Sequence, residues 1–384
     1  MSLRVLHIIR SLHRSGAERI CLDICNELNT RKDIQVLLIS MSDINEYEEL
    51  TKKIPFKIIN SKVFPKIFKK SIIEIDDYKK VIDDFKPNIV HSHLFWSELL
   101  SREYSKNEIT YVTHCHDNMV ELNNISFSTM FNKLKLVRFF EKKWILNKYS
   151  NCNNYFLTIS KHTQNYFENV LPNSLVSKSK LIPNAIRLQK FQIKSKRSYK
   201  LNNSKLKLIN IGSFWPKKNQ QFLLQVVSKL KSKNIDVELK LLGDGPEKEN
   251  IINQVKNLNL ESSIKILGNV KNVEEELFKS DLYVHSALYE PFGLVLIEAM
   301  AAGLPIVTIN GKGNSDLITN NFNGFILNNP TVNLFTEKIL SIVNSKELYE
   351  KFSENASTFS KKFSIENYTD QLIKWYNEIH ERGK

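Results

Sequence analysis

Short apolar runs alternate with segments of helical period along almost the whole chain, and no other feature narrows the fold as much. Residues 5–9 (VLHII) form the first run. Ala17, Ile20, Cys21, Ile24, Cys25 and Leu28 then recur at helical spacing, and residues 34–39 read as the next strand. The same periodicity predicts a helix over 72–85, strands at 88–91 and 109–113, a helix over 129–149 and a strand at 155–159. Strands this short, each followed by a helix, argue for βαβ units and a parallel sheet covered on both faces.

The alternation pauses near Pro183. Residues 178–207 hold ten basic side chains and no acidic one, as an interdomain connection would. A second series follows. Strands are expected at 206–211, 237–242, 264–267, 282–285 and 306–309, with helices at 222–230 and 294–302. Two successive α/β halves imply two Rossmann-like domains, over residues 1–184 and 185–360, with parallel sheets facing a central cleft. The length of 384 residues suits two such domains. Leu372, Trp375, Tyr376 and Ile379 share one face of a closing helix, so residues 361–384 should pack rather than dangle.

Composition removes other classes. The chain is 42% hydrophobic and 25% charged, a globular balance rather than a disordered one. Its four cysteines, Cys21, Cys25, Cys115 and Cys152, lack the spacing of a zinc site and read as buried thiols of a reducing compartment. The N-terminal apolar run is broken by Arg4 and Arg10, unlike a signal peptide, and no uncharged run is long enough to span a bilayer. A cytoplasmic chain is expected. The net charge of +14 divides as +7 in residues 1–184 and +7 in residues 185–384, so it is no tail, and it suggests anionic partners.

Residues 290–305 (EPFGLVLIEAMAAGLP) carry the clearest chemistry. A strand runs into a loop closed by Pro291 and Gly293, and a helix starts near Leu294. Its first free N–H groups and positive dipole end would hold a phosphate. Glu290 precedes that terminus and Glu298 follows it. Carboxylates repel phosphate but accept hydrogen bonds from sugar hydroxyls. A nucleotide sugar carries hydroxyls on both sides of its diphosphate.

This stretch resembles the E-x7-E signature of the retaining glycosyltransferases of family four, which have the GT-B fold and serve exopolysaccharide, capsule and lipopolysaccharide synthesis. The resemblance extends to Ser15-Gly16-Ala17-Glu18, which is similar to a Gly-Gly-Ala-Glu loop, and to Val90-His91-Ser92-His93. It includes Thr113 through Asp117 (THCHD), Ile182 through Ile186 (IPNAI) and the turn Leu242 through Pro246 (LGDGP). It implies that Glu290 contacts hydroxyls of the transferred sugar and Glu298 the ribose. The backbone of Phe292, Gly293, Leu294 and Val295 would hold sugar and diphosphate, and Gly16 would let a loop approach the phosphates. His116 corresponds to the active-site histidine that contacts the donor sugar, with His114 the second choice. The closing helix would cross back to the N-terminal domain.

The second domain opens Gly212-Ser213-Phe214-Trp215-Pro216-Lys217-Lys218-Asn219, where the family has Gly-Arg-Phe-x-x-x-Lys-Asn. Lys218 and Asn219 match. Ser213 stands in place of the arginine, which removes a bidentate clamp on the diphosphate. Lys217 or a residue of the basic connector is the expected substitute. No Asp-x-Asp occurs, and the pairs Asp76-Asp77 and Asp83-Asp84 belong to a surface helix, so no metal or cofactor is expected. His91, His93, His114 and His116 lie at strand ends without a Cys or carboxylate pattern to complete a zinc site. His7 and His285 read as packed.

Segment 131–149 (FNKLKLVRFFEKKWILNKY) is basic and aromatic. It fits an anionic membrane surface at the inner face or an ordinary packed helix, and both stay open. The expected activity is transfer of a sugar from a nucleotide diphosphate sugar, UDP-linked, to a glycan or lipid-linked acceptor, with no nucleic acid involved. The alternatives are an epimerase of the same fold and a silent sugar-binding subunit. A Rossmann oxidoreductase is disfavoured, because residues 10–18 contain only one glycine.

Overall fold

The computed structural model describes residues 2–64, 71–123, 133–193, 197 and 205–383, with the side chains of 133–139 left out. Two compact units emerge. One comprises residues 1–184 with 365–384, and the other residues 185–364.

The first unit is built on a seven-stranded sheet. Its order is Phe56–Ile58, Ile34–Ser40, Leu3–Ile9, Ile89–His93, Thr110–Cys115, Asn153–Thr158, Ser179–Leu181. Every neighbouring pair is parallel. Period-two alternation explains how one strand serves two layers. Leu6 and Ile8 join Val90, Tyr111 and helix residues Tyr78, Val81 and Ile82 in one apolar cluster. The intervening residue, His7, falls on the opposite face. The registers pair His7 with His91 and His93 with His114. With two-residue spacing along each strand, His7, His91, His93, His114 and His116 all come to one face.

The helix expected over 72–85 starts later, at Asp76. Ile72 and Ile73 instead form a short antiparallel strand with Val63 and Phe64. The helix over 129–149 is described from Lys133 to Ser150. Residues 131–132 and the side chains of 133–139 lie outside the described residues, while Ile145 and Tyr149 farther along the helix are fully buried. No described helix is long and apolar enough to cross a membrane.

A polar network lies within this unit. Arg102 and Glu98 pair at 3.1 Å, both wholly buried. The guanidinium also reaches Asn154 Oδ1 at 3.0 and 2.8 Å, Thr113 at 3.1 Å, and Ser92. The closing helix Ile365–Arg382 belongs to the same unit and buries Ile365, Tyr368, Leu372, Trp375, Tyr376 and Ile379.

The second unit is a six-stranded parallel sheet. The order is Ile264–Gly268, Val237–Leu242, Leu206–Ile211, Leu282–His285, Ile306–Ile309, Gly324–Leu327. Strand order reverses between Leu206–Ile211 and Leu282–His285. The loops leaving that point open a crevice, the usual place for a ligand in such sheets. Arg197 of the basic connector is spent inside this unit. Its guanidinium donates to the carbonyls of Ala302, Ser280 and Leu277.

Candidate active site

In the second unit the two loops at the reversal point are stitched together. Ser286 Oγ donates to the Lys218 carbonyl at 2.8 Å, and the Leu288 N–H to the Lys217 carbonyl at 2.9 Å. Lys218 ends a single 3-10 turn, Pro216–Lys218, and Asn219 turns the chain through a left-handed conformation into the helix Gln220–Ser232. The stitching brings Lys218 Nζ within 2.6 Å of Glu290 Oε2. His285 Nε2 stands 3.2 Å from the same oxygen. Burial alone would raise the Glu290 pKa. The Lys218 charge and then His285 overcome it and hold the carboxyl down to about 2. Burial also keeps His285 below its usual value.

Gly293 precedes the helix Leu294–Ala301 with φ 105°, a conformation that favours glycine. A Cβ there would meet Leu296 Cδ1 at 2.9 Å. The first N–H groups of that helix have no intrahelical acceptor by geometry. Glu298 lies within it, half-buried. Its charge and that of Glu290 both add to burial in raising the Tyr283 phenol, so the two carboxylates of the motif share one surrounding.

A second loop holds Glu290 from behind. The Glu290 N–H donates to the Gly311 carbonyl at 2.7 Å, and the Gly313 N–H to the Glu290 carbonyl at 2.9 Å. Gly313 allows this approach, since a Cβ there would lie 1.8 Å from the Pro291 carbonyl oxygen. The buried amide of Asn314 fixes the loop, accepting from the Gly311 N–H and donating to Thr308 Oγ1 and the Ile309 carbonyl. Sequence reading missed Asn314 and the contact of His285 with Glu290. His285 is packed, as expected, but against the carboxylate. The only signal was its position at the end of the strand before the motif.

Ser213 is exposed, and its carbonyl accepts from Gln220 Nε2 at 3.2 Å. Lys217, an expected substitute for the missing arginine, places its ammonium 5.6 Å from the Tyr289 ring centre. Of the other basic connector residues, Lys190 pairs with Glu274 at 3.1 Å and Lys205 with Asp236 at 3.5 Å, while Lys194, Lys196 and Lys200 lie outside the described residues.

In the first unit, Gly16 is the first residue of the helix Gly16–Leu28, and Ser15 caps it in an extended conformation. The Ser15 hydroxyl donates to Glu18, which is buried. A cavity of about 500 Å³ is lined by Arg10, His13, Lys62, Phe64 and Trp96, with the Arg10 guanidinium 5.3 Å from the Trp96 ring centre. His116 is 9% exposed and stacks on His114 with ring centres 3.9 Å apart. His93, His114 and His116 have ring nitrogens within 4.8 Å of one another, close enough for a metal. So do His7, Cys21 and Cys25 as a set of nitrogen and sulfur atoms, and so do His7, His91 and His93. The geometry instead joins several of these rings directly. His7 Nδ1 is 2.9 Å from His93 Nε2, and His93 Nδ1 is 2.8 Å from His116 Nε2. His91 Nδ1 bonds the Tyr376 hydroxyl.

Comparison with known proteins gives these features a family. Residues 191–359 match the profile of the glycosyl transferases group 1, and residues 14–190 that of glycosyltransferase family 4. The chain belongs to the group 1 glycosyltransferases. This glycosyltransferase is 27% identical over 368 residues to an uncharacterized glycosyltransferase of Methanocaldococcus jannaschii, covering 94% of each chain. It is 31% identical over 185 residues to the N-acetyl-alpha-D-glucosaminyl L-malate synthase of Bacillus anthracis, covering 48% of each. The chain thus spans nearly all of the first relative and about half of the second. Among solved structures, HepE of Anabaena in complex with UDP and glucose aligns with a TM-score of 0.78 at 18% identity, covering 98% of this chain and 99% of that one. WaaG, a glycosyltransferase involved in lipopolysaccharide biosynthesis, aligns with a TM-score of 0.71 at 15% identity, covering 97% and 99%. The glycosyltransferase has the GT-B fold, two parallel-sheet domains.

Proposed function

We propose that this glycosyltransferase moves a sugar from a UDP-linked donor to a hydroxyl of a glycan or lipid-linked acceptor in cell-surface polysaccharide synthesis, with retention of anomeric configuration and without a metal. The observation that carries the reading is the helix start at Leu294 with Glu290, Lys218 and His285 beside it. Cationic and N–H groups suit a diphosphate, and flanking carboxylates suit the hydroxyls on either side. Names among the relatives and neighbours point the same way. One is the poly(ribitol-phosphate) alpha-N-acetylglucosaminyltransferase of Staphylococcus aureus, 29% identical over 170 residues, and HepE binds UDP-glucose.

In this reading the N–H groups of Gly293, Leu294 and Val295, with Phe292 beside them, hold sugar and diphosphate. Glu298 takes the ribose, Glu290 the transferred sugar, and Lys218 with Asn219 the diphosphate side. Ser213 contributes a hydroxyl where a charge would bind more strongly. Gly16 and His116 keep the roles the family resemblance gives them, at the phosphates and the donor sugar. The Arg10, Lys62 and Trp96 cavity takes an acceptor bearing a sugar ring and an anionic group. Glu290 is a poor covalent nucleophile, because Lys218 and His285 hold its carboxylate. The acceptor hydroxyl then attacks on the leaving-group face, and its proton passes to a phosphate oxygen. The protein's task is to stabilise the departing diphosphate and the developing positive sugar.

A donor screen with the purified protein, scored by nucleotide release in the presence of glycan acceptors, tests this. Release that depends on acceptor supports the transferase. Consumption of UDP-sugar without acceptor supports the epimerase, and tight donor binding without turnover supports the silent subunit.

A further inference from the structure

The histidine face of the first unit holds a continuous chain of imidazoles. His7 Nδ1 meets His93 Nε2, and His93 Nδ1 meets His116 Nε2. We propose that this chain fixes His116 as its Nδ1–H tautomer, so that His116 presents a hydrogen-bond donor at its outer nitrogen, with His7 and His93 acting as positioning residues. The use made of that donor rests on the reading of His116 as a donor-sugar contact. The tautomer itself does not.

A neutral imidazole has one N–H and one lone pair. Two rings that meet nitrogen to nitrogen must therefore offer one of each. The two contacts through His93 couple all three rings, leaving only two neutral arrangements. In the outward one, His7 Nδ1–H donates to His93, His93 Nδ1–H donates to His116 Nε2, and His116 keeps its proton on Nδ1. In the inward one every bond reverses, His116 Nδ1 is a bare acceptor, and His7 must carry its proton on Nε2.

The ends of the chain decide between them. His7 and His93 are fully buried, whereas His116 retains 9% exposure. His7 Nε2 is buried with no hydrogen-bond partner. An orphaned buried N–H is rarer and costlier than an under-used acceptor. Cys21 and Cys25 also stand within 4.8 Å of a His7 ring nitrogen, and a thiol is a weak donor suited to a bare nitrogen. Burial, reinforced by the neighbouring rings, holds His93 neutral, and burial does so for His116.

The test is long-range proton–nitrogen NMR of the full-length protein labelled at histidine, without substrate, with the His116 signals assigned by their loss in His116→Gln. The expected spectrum shows His116 Nδ1 protonated and Nε2 bare, in a ratio of about 10:1 or more, which corresponds to ~1.4 kcal/mol of bias. In His7→Glu the inner group, once ionised, can only accept, and His116 should shift toward the Nε2–H form as pH rises. In His7→Leu the His93 Nε2 is left as an under-used acceptor, which costs less than an orphaned N–H, so the Nδ1–H form of His116 should persist. A packing role alone would not separate these two variants. An Nε2–H tautomer in the wild type, or an unchanged Nδ1–H signal in a folded, ionised His7→Glu, overturns the proposal. So does one equivalent of zinc in the purified protein that is lost on mutating His93. Loss of folding in His7→Glu leaves the wild-type tautomer as the deciding measurement.

Discussion

Lys218 Nζ and Glu290 Oε2 are 2.6 Å apart, with side chains 16% and 10% exposed. The motif reading gives these residues separate tasks, one at the diphosphate and one at the sugar. Their contact makes them a single charged unit. Removing either partner leaves the other's charge uncompensated in a mostly buried place. Single substitutions here therefore report on the pair, and kinetics must be read beside nucleotide binding.

Glu298→Ala should remove contacts to ribose hydroxyls, which do not change during reaction. The expected result is a raised donor KM and weaker binding of free nucleotide. Glu290→Ala should lower kcat by about 10²-fold or more, as for a buried charged hydrogen bond of ~2–3 kcal/mol. It should not weaken nucleotide binding, because the freed Lys218 ammonium then faces the diphosphate without its carboxylate partner. Steady-state kinetics against donor concentration, with nucleotide titrations alongside, checks both. A drop in nucleotide affinity for Glu290→Ala alone would mean the roles are exchanged.

Turnover is expected to survive EDTA, since protein groups supply the positive charge at the diphosphate. Lys218→Ala should weaken UDP binding. It should also let the Glu290 carboxyl climb from about 2, because His285 alone then opposes burial. A strict requirement for Mn²⁺ would defeat this account.

Acid should unfold the first unit before the second. Burial, reinforced by neighbouring rings, holds His91, His93 and His114 well below the ordinary histidine value, and burial draws His116 down to about 3. In the unfolded chain these groups take up protons near ~6.5, whereas the folded unit resists. Stability is therefore full above that pH and is lost as pH falls below it. Each such group contributes ~1.4 kcal/mol per pH unit, and Glu98, raised to about 7, offsets one of the four over this range. The second unit has His285 in the same position among its described groups. Hydrogen exchange followed from pH 7 to pH 5 should show protection lost first in residues 1–184 and 365–384. Simultaneous loss in both units would contradict it.

Arg102→Met should cost about 3–5 kcal/mol in urea unfolding, because it strands the buried Glu98 carboxyl. Burial already raises that carboxyl to about 7, even with Arg102 and Thr113 opposing. The double variant Arg102→Met with Glu98→Leu should recover much of the loss. A double variant less stable than the single one would show that the other contacts of Arg102, to Asn154 and Thr113, outweigh the ion pair.

Much of the fold was legible because hydrophobic period is a local property. The strands Leu206–Ile211, Val237–Leu242, Leu282–His285 and Ile306–Ile309 stand where apolar runs placed them. The error at Ile72 has a simple cause. Two apolar residues ahead of Asp76 extend a helical pattern by count, but cross-strand pairing with Val63 and Phe64 takes them first. Edge strands such as Ser179–Leu181 and Gly324–Leu327 were not seen; the first carries a single apolar residue, so it has no apolar run to read.

The sequence by itself determined the two α/β series, the helix start at Leu294 and the two motif glutamates, all through spacings of a few residues. Only the tertiary structure decided what those residues meet. Lys218 and Glu290 are 72 positions apart, and His7 and His93 are 86 apart. Spacing placed His91 with His93, and His114 with His116, on shared faces of their own strands. Register between strands put both pairs and His7 on one face, because a slip of one residue would have sent a whole strand's histidines to the other side.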